Sequence, residues 1–285
     1  MSKVLILGAS GMLGNAMLRV FSTAPRFTVV ATVRSKKNID LLPAHLRAYL
    51  IPGIDVENSD ILISLLSTVR PRIVINCIGL VKQLVDVEDP LLALPINSIF
   101  PHRLARLCGA VGARLIHMST DCVFSGGKGM YTEEDFADAD DLYGRSKFLG
   151  EVDYPNAITL RTSIIGHELE GARSLINWFV SQHGQVKGFR RAIFSGLPTV
   201  EIATLIRDYV IPRPALRGVY NVSAEPISKF ELLSLVARTY GKDIEIVPDD
   251  DFVIDRSLDS SRFRHKTGYV PAPWGQLIQR MHDFG

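Results

Sequence analysis

A tyrosine and a lysine stand four residues apart in the segment Tyr143-Gly144-Arg145-Ser146-Lys147. The surrounding pattern predicts a helix over 141–152, on which residues i and i+4 share one face. A cation held beside a phenol favours the phenolate and lowers a pKa that is normally about 10. Tyr143 would then give a proton to an alkoxide, while Lys147 would tune that tyrosine and hold ribose hydroxyls. The pair indicates carbonyl reduction with a nicotinamide nucleotide.

Two hydroxyl residues, Ser119 and Thr120, follow an apolar run at 114–118 that predicts a strand. A hydroxyl at the end of a parallel strand can bond the carbonyl oxygen that becomes negative during hydride transfer. Ser and Thr are equally typical of residues that cap a loop, so both roles are open at this point. His117, alone inside the apolar run, is predicted to be a satisfied core residue.

A glycine-rich turn follows the first apolar strand, in the order Gly8-Ala9-Ser10-Gly11-Met12-Leu13-Gly14. Gly8 and Gly11 would let the backbone approach a pyrophosphate, and Gly14 would let the next helix pack closely on the sheet. The N–H groups at the start of that helix, from Ser10 to Gly14, would bind phosphate. The spacing is G-x-x-G-x-x-G rather than G-x-G-x-x-G, and an ordinary glycine loop is the alternative.

The end of the second strand indicates which cofactor binds. An acidic residue there would bind the ribose hydroxyls of NADH, whereas arginine accommodates a 2′-phosphate. Here Arg34 ends the strand and Lys36 follows. NADPH is therefore favoured over NADH, and a solvated basic loop is the alternative.

Further cofactor contacts are expected at the ends of the third and fourth strands. These candidates are Asp55, Val56, Asn76, Cys77, Ile78 and Gly79.

Strand-like and helical segments alternate through the first half of the chain. Strands are predicted at 3–7, 28–33, 48–51, 73–77, 114–118 and 157–161, with helices near 12–22, 58–69, 91–109 and 141–152. This alternation predicts an α/β fold with a doubly wound parallel sheet of the Rossmann type. Residues 1–165 would form the nucleotide domain and 166–285 a smaller substrate-binding lobe, with a segment near 190–215 returning to the main sheet. Helices are also predicted at 174–182, 199–211, 228–240 and 274–282.

Composition excludes several classes of function. The 32 basic and 30 acidic residues create no basic field for nucleic acid. Three cysteines, Cys77, Cys108 and Cys122, show no metal-ligand spacing, so no metal site and reduced thiols are expected. No apolar run approaches the length of a membrane span. A cytoplasmic protein without membrane or nucleic-acid partners is expected.

Longer segments around these residues resemble the extended short-chain dehydrogenase/reductase superfamily, and within it the dTDP-4-dehydrorhamnose reductases. The resemblance is specific over residues 1–165 and looser beyond. It is carried by the glycine turn, residues 99–105, HMSTDCVFSG at 117–126, GKGMYTEED at 127–135, and LYGRSK with the following GE.

The resemblance implies a catalytic trio of Thr120, Tyr143 and Lys147, and it favours Thr120 over Ser119. The implied reaction is hydride transfer from NADPH to C4 of a nucleotide-linked 4-keto-6-deoxyhexose, which supplies deoxysugars for surface polysaccharides. The substrate would be a nucleotide-diphosphate sugar, and a homodimer is the expected oligomer.

Substrate contacts implied by the resemblance lie in both halves of the chain. They are Lys82, Thr120, Cys122, Val123, Phe124, Asn177, Trp178 and Arg256. Cys122 stands where the family commonly has tyrosine, and the stretch around Lys82 also departs from the family pattern, so the sugar remains open. Trp178 is equally consistent with a core residue. Arg256 would pair with a diphosphate, because a guanidinium can bond two oxygens at once.

Two other functions stay open at the level of sequence. One is a nucleotide-sugar epimerase or dehydratase that retains its cofactor, against which Arg34 weighs because such enzymes more often resemble NAD binders. The other is a non-catalytic NADP-binding regulatory subunit, such as the related beta subunit of methionine adenosyltransferase. The intact trio of Thr120, Tyr143 and Lys147 argues against the regulatory role.

Overall fold

The protein is built from a large parallel sheet, several small sheets and flanking helices. The computed structural model describes residues 1–81 and 88–285. Its strands are β1 (Ser2–Leu7), β2 (Phe27–Val33), β3 (Leu50–Pro52), β4 (Ile73–Asn76), β5 (Arg114–Ser119), β6 (Ala157–Arg161), β7 (Ile164–Ile165), β8 (Gln185–Phe189), β9 (Ala192–Phe194), β10 (Leu197–Pro198), β11 (Gly218–Asn221), β12 (Ile227–Ser228), β13 (Glu245–Asp249) and β14 (Ile254–Asp255).

The helices pack on both faces of the large sheet and within the second half. They are α1 (Met12–Ser22), α2 (Ser59–Val69), α3 (Pro90–Leu94), α4 (Phe100–Ala110), α5 (Leu142–Leu149), α6 (Leu175–Ser181), α7 (Thr199–Leu205), α8 (Lys229–Thr239), α9 (Ser261–Thr267) and α10 (Trp274–Phe284). A π turn at Pro95–Ile99 joins α3 to α4, and a second at Ile206–Val210 extends α7. Among the described residues, no helix is long and apolar enough to cross a membrane.

The large sheet has seven strands in the order β11-β6-β5-β4-β1-β2-β3, and all its pairings are parallel. Alternate residues of each strand face opposite sides, so Ile6 belongs to one apolar core, with α1 and α7, while Leu5 and Leu7 belong to the other, with α2 and α4. The predicted doubly wound α/β fold is confirmed.

The position of β1 determines where a ligand can bind. β1 lies between β2 and β4, so the chain moves outward in opposite directions on either side of it. The loops that follow β1 and β4 therefore diverge at the carboxyl ends of these strands and leave a crevice between them. The glycine turn, Asn76 and the residues after β5 all open onto this edge of the sheet.

The second half supplies the strand at one edge of the large sheet, but later in the chain than expected. That strand is β11, whereas 190–215 holds β9, β10 and α7. α7 packs in the same core as α1, through residues such as Ile202 and Leu205. The expectation that 190–215 itself returns to the sheet is thus wrong: this range contacts the sheet's helix layer, and the strand follows it.

Two glycines are required where β1 passes into α1. Gly8 has φ of +88°, a conformation that residues with a Cβ rarely adopt. A Cβ on Gly14 would collide with the carbonyl of Gly8 and lie 3.1 Å from the Cα of Ala9. At Gly11 the nearest atom to an added Cβ is 3.5 Å away, which is an ordinary contact. The backbone of α1 therefore sits directly against the turn at Gly14 and not at Gly11.

Gly14→Ala is expected to lower the free energy of unfolding by about 1–3 kcal/mol, since the new methyl group forces α1 away from the sheet. Urea denaturation of the purified variant would measure this loss. Gly11→Ala is the matched control and should change stability much less. Equal stability of the two variants would contradict the close contact between α1 and the turn.

Candidate active site

Thr120 and Tyr143 meet at the carboxyl edge of the sheet. Thr120 follows β5 and caps the 3-10 turn Asp121–Val123, with its Oγ1 accepting from the N–H of Cys122 at 3.1 Å and donating to Asp121 Oδ1 at 3.1 Å. The Thr120 side chain also lies close enough to the Tyr143 phenol to affect its pKa. Asp141 begins α5 by accepting from the N–H of Gly144 at 2.7 Å, which fixes Tyr143 in the first turn of the helix.

Lys147 lies one turn further along α5, where its ammonium is buried. Its Nζ donates to the carbonyl of Met118 on β5 at 2.8 Å. A Cβ on Gly79 would lie 3.6 Å from the same Nζ. Gly79, which follows β4, therefore lies beside the lysine side chain. Burial lowers the pKa of Lys147 to about 8, against the opposing charge of Glu151. Thr120, Tyr143 and Lys147 are thus brought together at the crevice.

The expected effect of Lys147 on Tyr143 is wrong in this structure. The pKa of the half-buried Tyr143 phenol is raised above its usual value, first by burial and then by Cys122, and the neighbouring Thr120 hydroxyl only partly offsets this shift. The lysine does not stabilise a phenolate here because its ammonium is bonded to Met118 instead. At neutral pH the phenol therefore keeps its proton, as a proton donor must.

A buried ion pair lies directly behind this group. Arg161 forms two bonds of 2.7 Å to the carboxylate of Glu151, and each side chain is 5% exposed. Ser119 donates to the same carboxylate at 2.7 Å. Of the two hydroxyls that follow β5, Ser119 is therefore engaged in the ion pair and Thr120 faces Tyr143.

Asn97 is a buried residue of the site that the sequence reading missed. It lies in the π turn before α4, accepts from the N–H of Leu80 at 2.9 Å and donates to Ser146 Oγ at 3.2 Å. It therefore connects the segment after β4 with α5. An isolated amide two residues after Pro95 in an apolar helix is the sequence signal for it, since π turns are common at functional sites.

The glycine turn has the features of a pyrophosphate cradle. Within the described chain, no side chain caps α1 at Gly11, and the first turn of α1 carries no acidic residue, so its N–H groups and positive dipole face the crevice. Leu13 is buried, which leaves only its backbone for a ligand. Ser10 accepts a hydrogen bond from Asn38 Nδ2 at 3.2 Å. Asn38, which the sequence reading missed, thereby joins the turn after β2 to the glycine turn.

The basic residues after β2 are available to an anion. Arg34 and Lys36 are exposed, and neither forms an ion pair with any residue in 1–81 or 88–285. They flank the 3-10 turn Lys36–Ile39, which carries Asn38. This arrangement fits the 2′-phosphate of an NADP molecule whose pyrophosphate lies on α1.

The other candidate cofactor residues differ in accessibility. Asn76 is fully buried, accepts from the N–H of Ile78 at 3.0 Å and lies 3.1 Å from His117 Nδ1. His117 is thus a core residue, as predicted, but it is not fully satisfied, because its Nε2 has no hydrogen-bond partner among the described residues. Burial lowers its pKa well below the usual value. Asp55 is exposed while Val56 is buried in the core. Burial raises the pKa of Cys77 to about 12, so it remains a thiol.

Two of the residues proposed to contact substrate line the crevice. Arg256 Nε donates to the carbonyl of Phe124 at 2.7 Å, and its Nη1 lies 3.8 Å from Cys122 Sγ. Both contacts fall on the turn after Thr120. Cys122 is half-buried beside Tyr143.

Val123 and Phe124 do not face the crevice. Both side chains are fully buried in a small cluster with Tyr131 and Leu258, and the rings of Phe124 and Tyr131 stack at 4.2 Å. The expectation that these two side chains contact substrate is therefore corrected. They support the turn that carries Thr120, and only the backbone carbonyl of Phe124 takes part, by holding Arg256.

The remaining substrate candidates are Asn177, Trp178 and Lys82. Asn177 on α6 accepts from the N–H of Glu168 at 3.2 Å and donates to the carbonyl of Gly171 at 3.0 Å, so it orders the loop before its own helix. Trp178 is 37% exposed and is not a core residue. Lys82 lies outside the described residues. In the two described ranges, no group of side chains could hold a metal ion.

Comparison with known proteins agrees with this geometry. The family model described as RmlD substrate binding domain matches residues 2–283. The chain belongs to this family. The resemblance read from the sequence is thereby confirmed.

Individual members of the family carry different names. The mouse methionine adenosyltransferase 2 subunit beta is 31% identical over 259 residues, which cover 84% of this chain and 72% of that protein. A probable low-salt glycan biosynthesis reductase of Haloferax volcanii is 30% identical over 267 residues, with coverage of 89% and 83%. The crystal structure of dTDP-4-dehydrorhamnose reductase from Bacillus anthracis, in complex with NADP, superposes with a TM-score of 0.81 at 20% identity, covering 100% of this chain and 99% of that one.

The charge of Lys147 offers a test that needs no substrate. In NMR spectra of protein with 13C-labelled lysine, the Lys147 Cε signal, assigned by its loss in Lys147→Arg, is expected to titrate near pH 8. Glu151→Gln should move that titration to lower pH, because it removes the carboxylate that favours the ammonium. Asp153→Asn is a control for loss of a nearby charge. A Lys147 pKa that stays the same in Glu151→Gln would contradict the coupling.

Proposed function

We propose that the chain is an NADPH-dependent reductase of a nucleotide-linked 4-keto-6-deoxyhexose, acting in the cytoplasm in deoxysugar synthesis. One observation carries this proposal: the Tyr143 phenol lies beside the Thr120 hydroxyl and one helical turn from the buried Lys147, at the crevice onto which the glycine turn opens. The family membership and the NADP held by the Bacillus anthracis structure support it.

Each member of the trio has a distinct role in the proposed reaction. Bound NADPH would supply a hydride to the sugar carbonyl carbon. Thr120 orients the carbonyl oxygen, and Tyr143 gives its proton to the alkoxide that forms. Lys147 contributes positive charge beside the site and donates to ribose hydroxyls once it leaves the Met118 carbonyl. The raised pKa of Tyr143 keeps the proton in place until the alkoxide, a much stronger base, appears.

The two ends of the crevice would hold the two substrates. The glycine turn, Arg34, Lys36 and the segment after β4 bind NADPH, and Cys122 with Arg256 faces the nucleotide sugar. Asn177 and Trp178 would contact the nucleotide from α6. A homodimer, the expected oligomer, belongs to the same proposal, and static light scattering would measure the mass that decides it.

The reductase proposal predicts NADPH oxidation, followed at 340 nm, with one of a panel of dTDP-, UDP- and GDP-4-keto-6-deoxyhexoses. Tyr143→Phe should lower turnover by about 10²–10⁴-fold, because only the proton donor is lost. NADPH affinity, measured by fluorescence titration, should stay near that of the unaltered protein. Turnover that survives in Tyr143→Phe would remove this residue from the mechanism.

A second function is favoured by one observation, the 31% identity to the methionine adenosyltransferase beta subunit. In a regulatory subunit the crevice would bind NADP without turnover. The two functions differ in one result: tight NADPH binding without oxidation by any sugar of the panel would favour the regulatory role.

Arg34 is expected to set the preference for NADPH over NADH. Arg34→Asp should lower the NADPH/NADH affinity ratio by at least about tenfold, since it removes a partner of the 2′-phosphate and adds a repelling charge. Fluorescence titration with both nucleotides would give the ratio. Arg26→Asp, at an exposed arginine paired with Asp208 at 2.6 Å, is the control and should leave the ratio unchanged. An unaltered ratio in Arg34→Asp would contradict the assignment.

A further inference from the structure

A small sheet of the second half places two cations beside the proposed active site. β9 is the middle strand between β12 and β14, and its Ile193 pairs with Ser228 on one side and Asp255 on the other. Lys229 follows β12 as the first residue of α8, and Arg256 follows β14. Because β12 is antiparallel and β14 is parallel to β9, the two outer strands run in opposite directions. The two cations nevertheless lie within electrostatic range of each other.

Arg256 is oriented toward the turn after Thr120 but not saturated by it. Its guanidinium has five donors. Nε bonds the carbonyl of Phe124 at 2.7 Å and Nη1 contacts Cys122 Sγ at 3.8 Å. The other N–H groups are left for a ligand in the crevice.

Lys229 is half-buried, and its ammonium makes no hydrogen bond or ion pair with any residue in the part of the chain that the structure describes. The ammonium lies within electrostatic range of Asp121, Cys122 and Arg256, and burial lowers its pKa. A partly buried charge without an acceptor is costly. A bound molecule that accepts a hydrogen bond from the Lys229 ammonium would explain why this charge is partly buried.

Nearby acids do not neutralise the two cations by direct contact. The carboxylate of Asp121 accepts from Thr120 at 3.1 Å, and both oxygens of Asp138 are bonded by Ser125, at 2.8 and 2.6 Å. Neither acid forms an ion pair with Lys229 or Arg256 in residues 1–81 and 88–285.

The position of Lys229 at the start of α8 is unfavourable for the helix itself. It is the first helical residue after the cap Ser228, where a positive charge adds to the positive end of the helix dipole. The end of α8 is itself closed by the capping box of Ser228 and Glu231, so the positive charge beside the turn after Thr120 comes from the side chains of Lys229 and Arg256. Their convergence favours an anion over a neutral group.

We propose that Lys229 and Arg256 form an anion subsite that binds negatively charged oxygens of the sugar substrate, a statement that rests on the proposed function. Those oxygens belong to the diphosphate of the nucleotide sugar, since the proposed 6-deoxyhexose carries no carboxylate. Lys229 is the residue that distinguishes this subsite, since no motif in the sequence pointed to it.

The test uses isothermal titration calorimetry of the full chain. dTDP, UDP and GDP are compared first, and the base that binds best is then taken forward as its NDP-glucose and NDP-glucuronate. Lys229→Gln is the test variant, and Lys266→Gln, at an exposed lysine of α9, is the matched control. Thermal unfolding should show that Lys229→Gln is at least as stable as the control, because it removes a charge that opposes the dipole of α8.

Loss of a charged hydrogen bond should weaken binding by about tenfold or more in Lys229→Gln. A loss shared by the NDP and both NDP-hexoses assigns the subsite to the diphosphate. A loss confined to the NDP-glucuronate would overturn the assignment to the diphosphate.

Two other outcomes would overturn the subsite in different ways. If Lys229→Gln binds every ligand as tightly as Lys266→Gln, the subsite is wrong and the proposed reductase is untouched. If the unaltered protein binds NADPH but none of the nucleotide ligands, both the subsite and the nucleotide-sugar substrate are wrong.

Discussion

The buried ion pair between Glu151 and Arg161 is the interaction on which the geometry of the site depends. Glu151 follows α5, Arg161 ends β6, and Ser119, which ends β5, donates to the same carboxylate. Arg161 also lies over the ring of Phe124, 5.3 Å from its centroid. One carboxylate therefore fixes the end of the helix that carries Lys147, the strand end before Thr120 and the turn that follows. Removal of either charged partner would leave the other uncompensated in the interior, at a cost of about 3–5 kcal/mol.

The sequence was sufficient to predict the elements that a strong local pattern defines. Apolar runs bounded by breakers predicted the first six strands of the large sheet, and the glycine turn predicted the start of α1. The two- to five-residue strands of the second half, such as β9 and β12, were not predicted because they are too short to show alternation. β11 was not predicted for a different reason: its four residues begin with the left-handed Gly218 and resemble a loop.

The chemistry of the site was predictable in part. Tyr143 and Lys147 shared a helical face by spacing alone, and Thr120 was favoured by resemblance. The pKa of Tyr143 was not predictable, because its direction depends on burial and on which atom Lys147 contacts, and both are tertiary facts. The burial of Val123 and Phe124 was not predictable for the same reason. Their proximity to Thr120 in the chain suggested a role in binding, but both side chains pack into a core cluster with Tyr131 and Leu258.

The electrostatics around Tyr143 favour one direction of the proposed reaction. Burial, together with Cys122 and the carboxylate of Asp121, disfavours the phenolate. Reduction begins with a protonated phenol and so begins from the favoured state, whereas oxidation of an alcohol would need the phenolate first. Lys147 would favour the phenolate only if its ammonium moved from the Met118 carbonyl toward the phenol. The ribose of a bound cofactor would cause that move by offering the ammonium new acceptors beside Gly79. Cofactor binding would thereby make the Tyr143 phenol a stronger acid. The position of Lys147 in the free protein would therefore determine that the cofactor binds before the sugar.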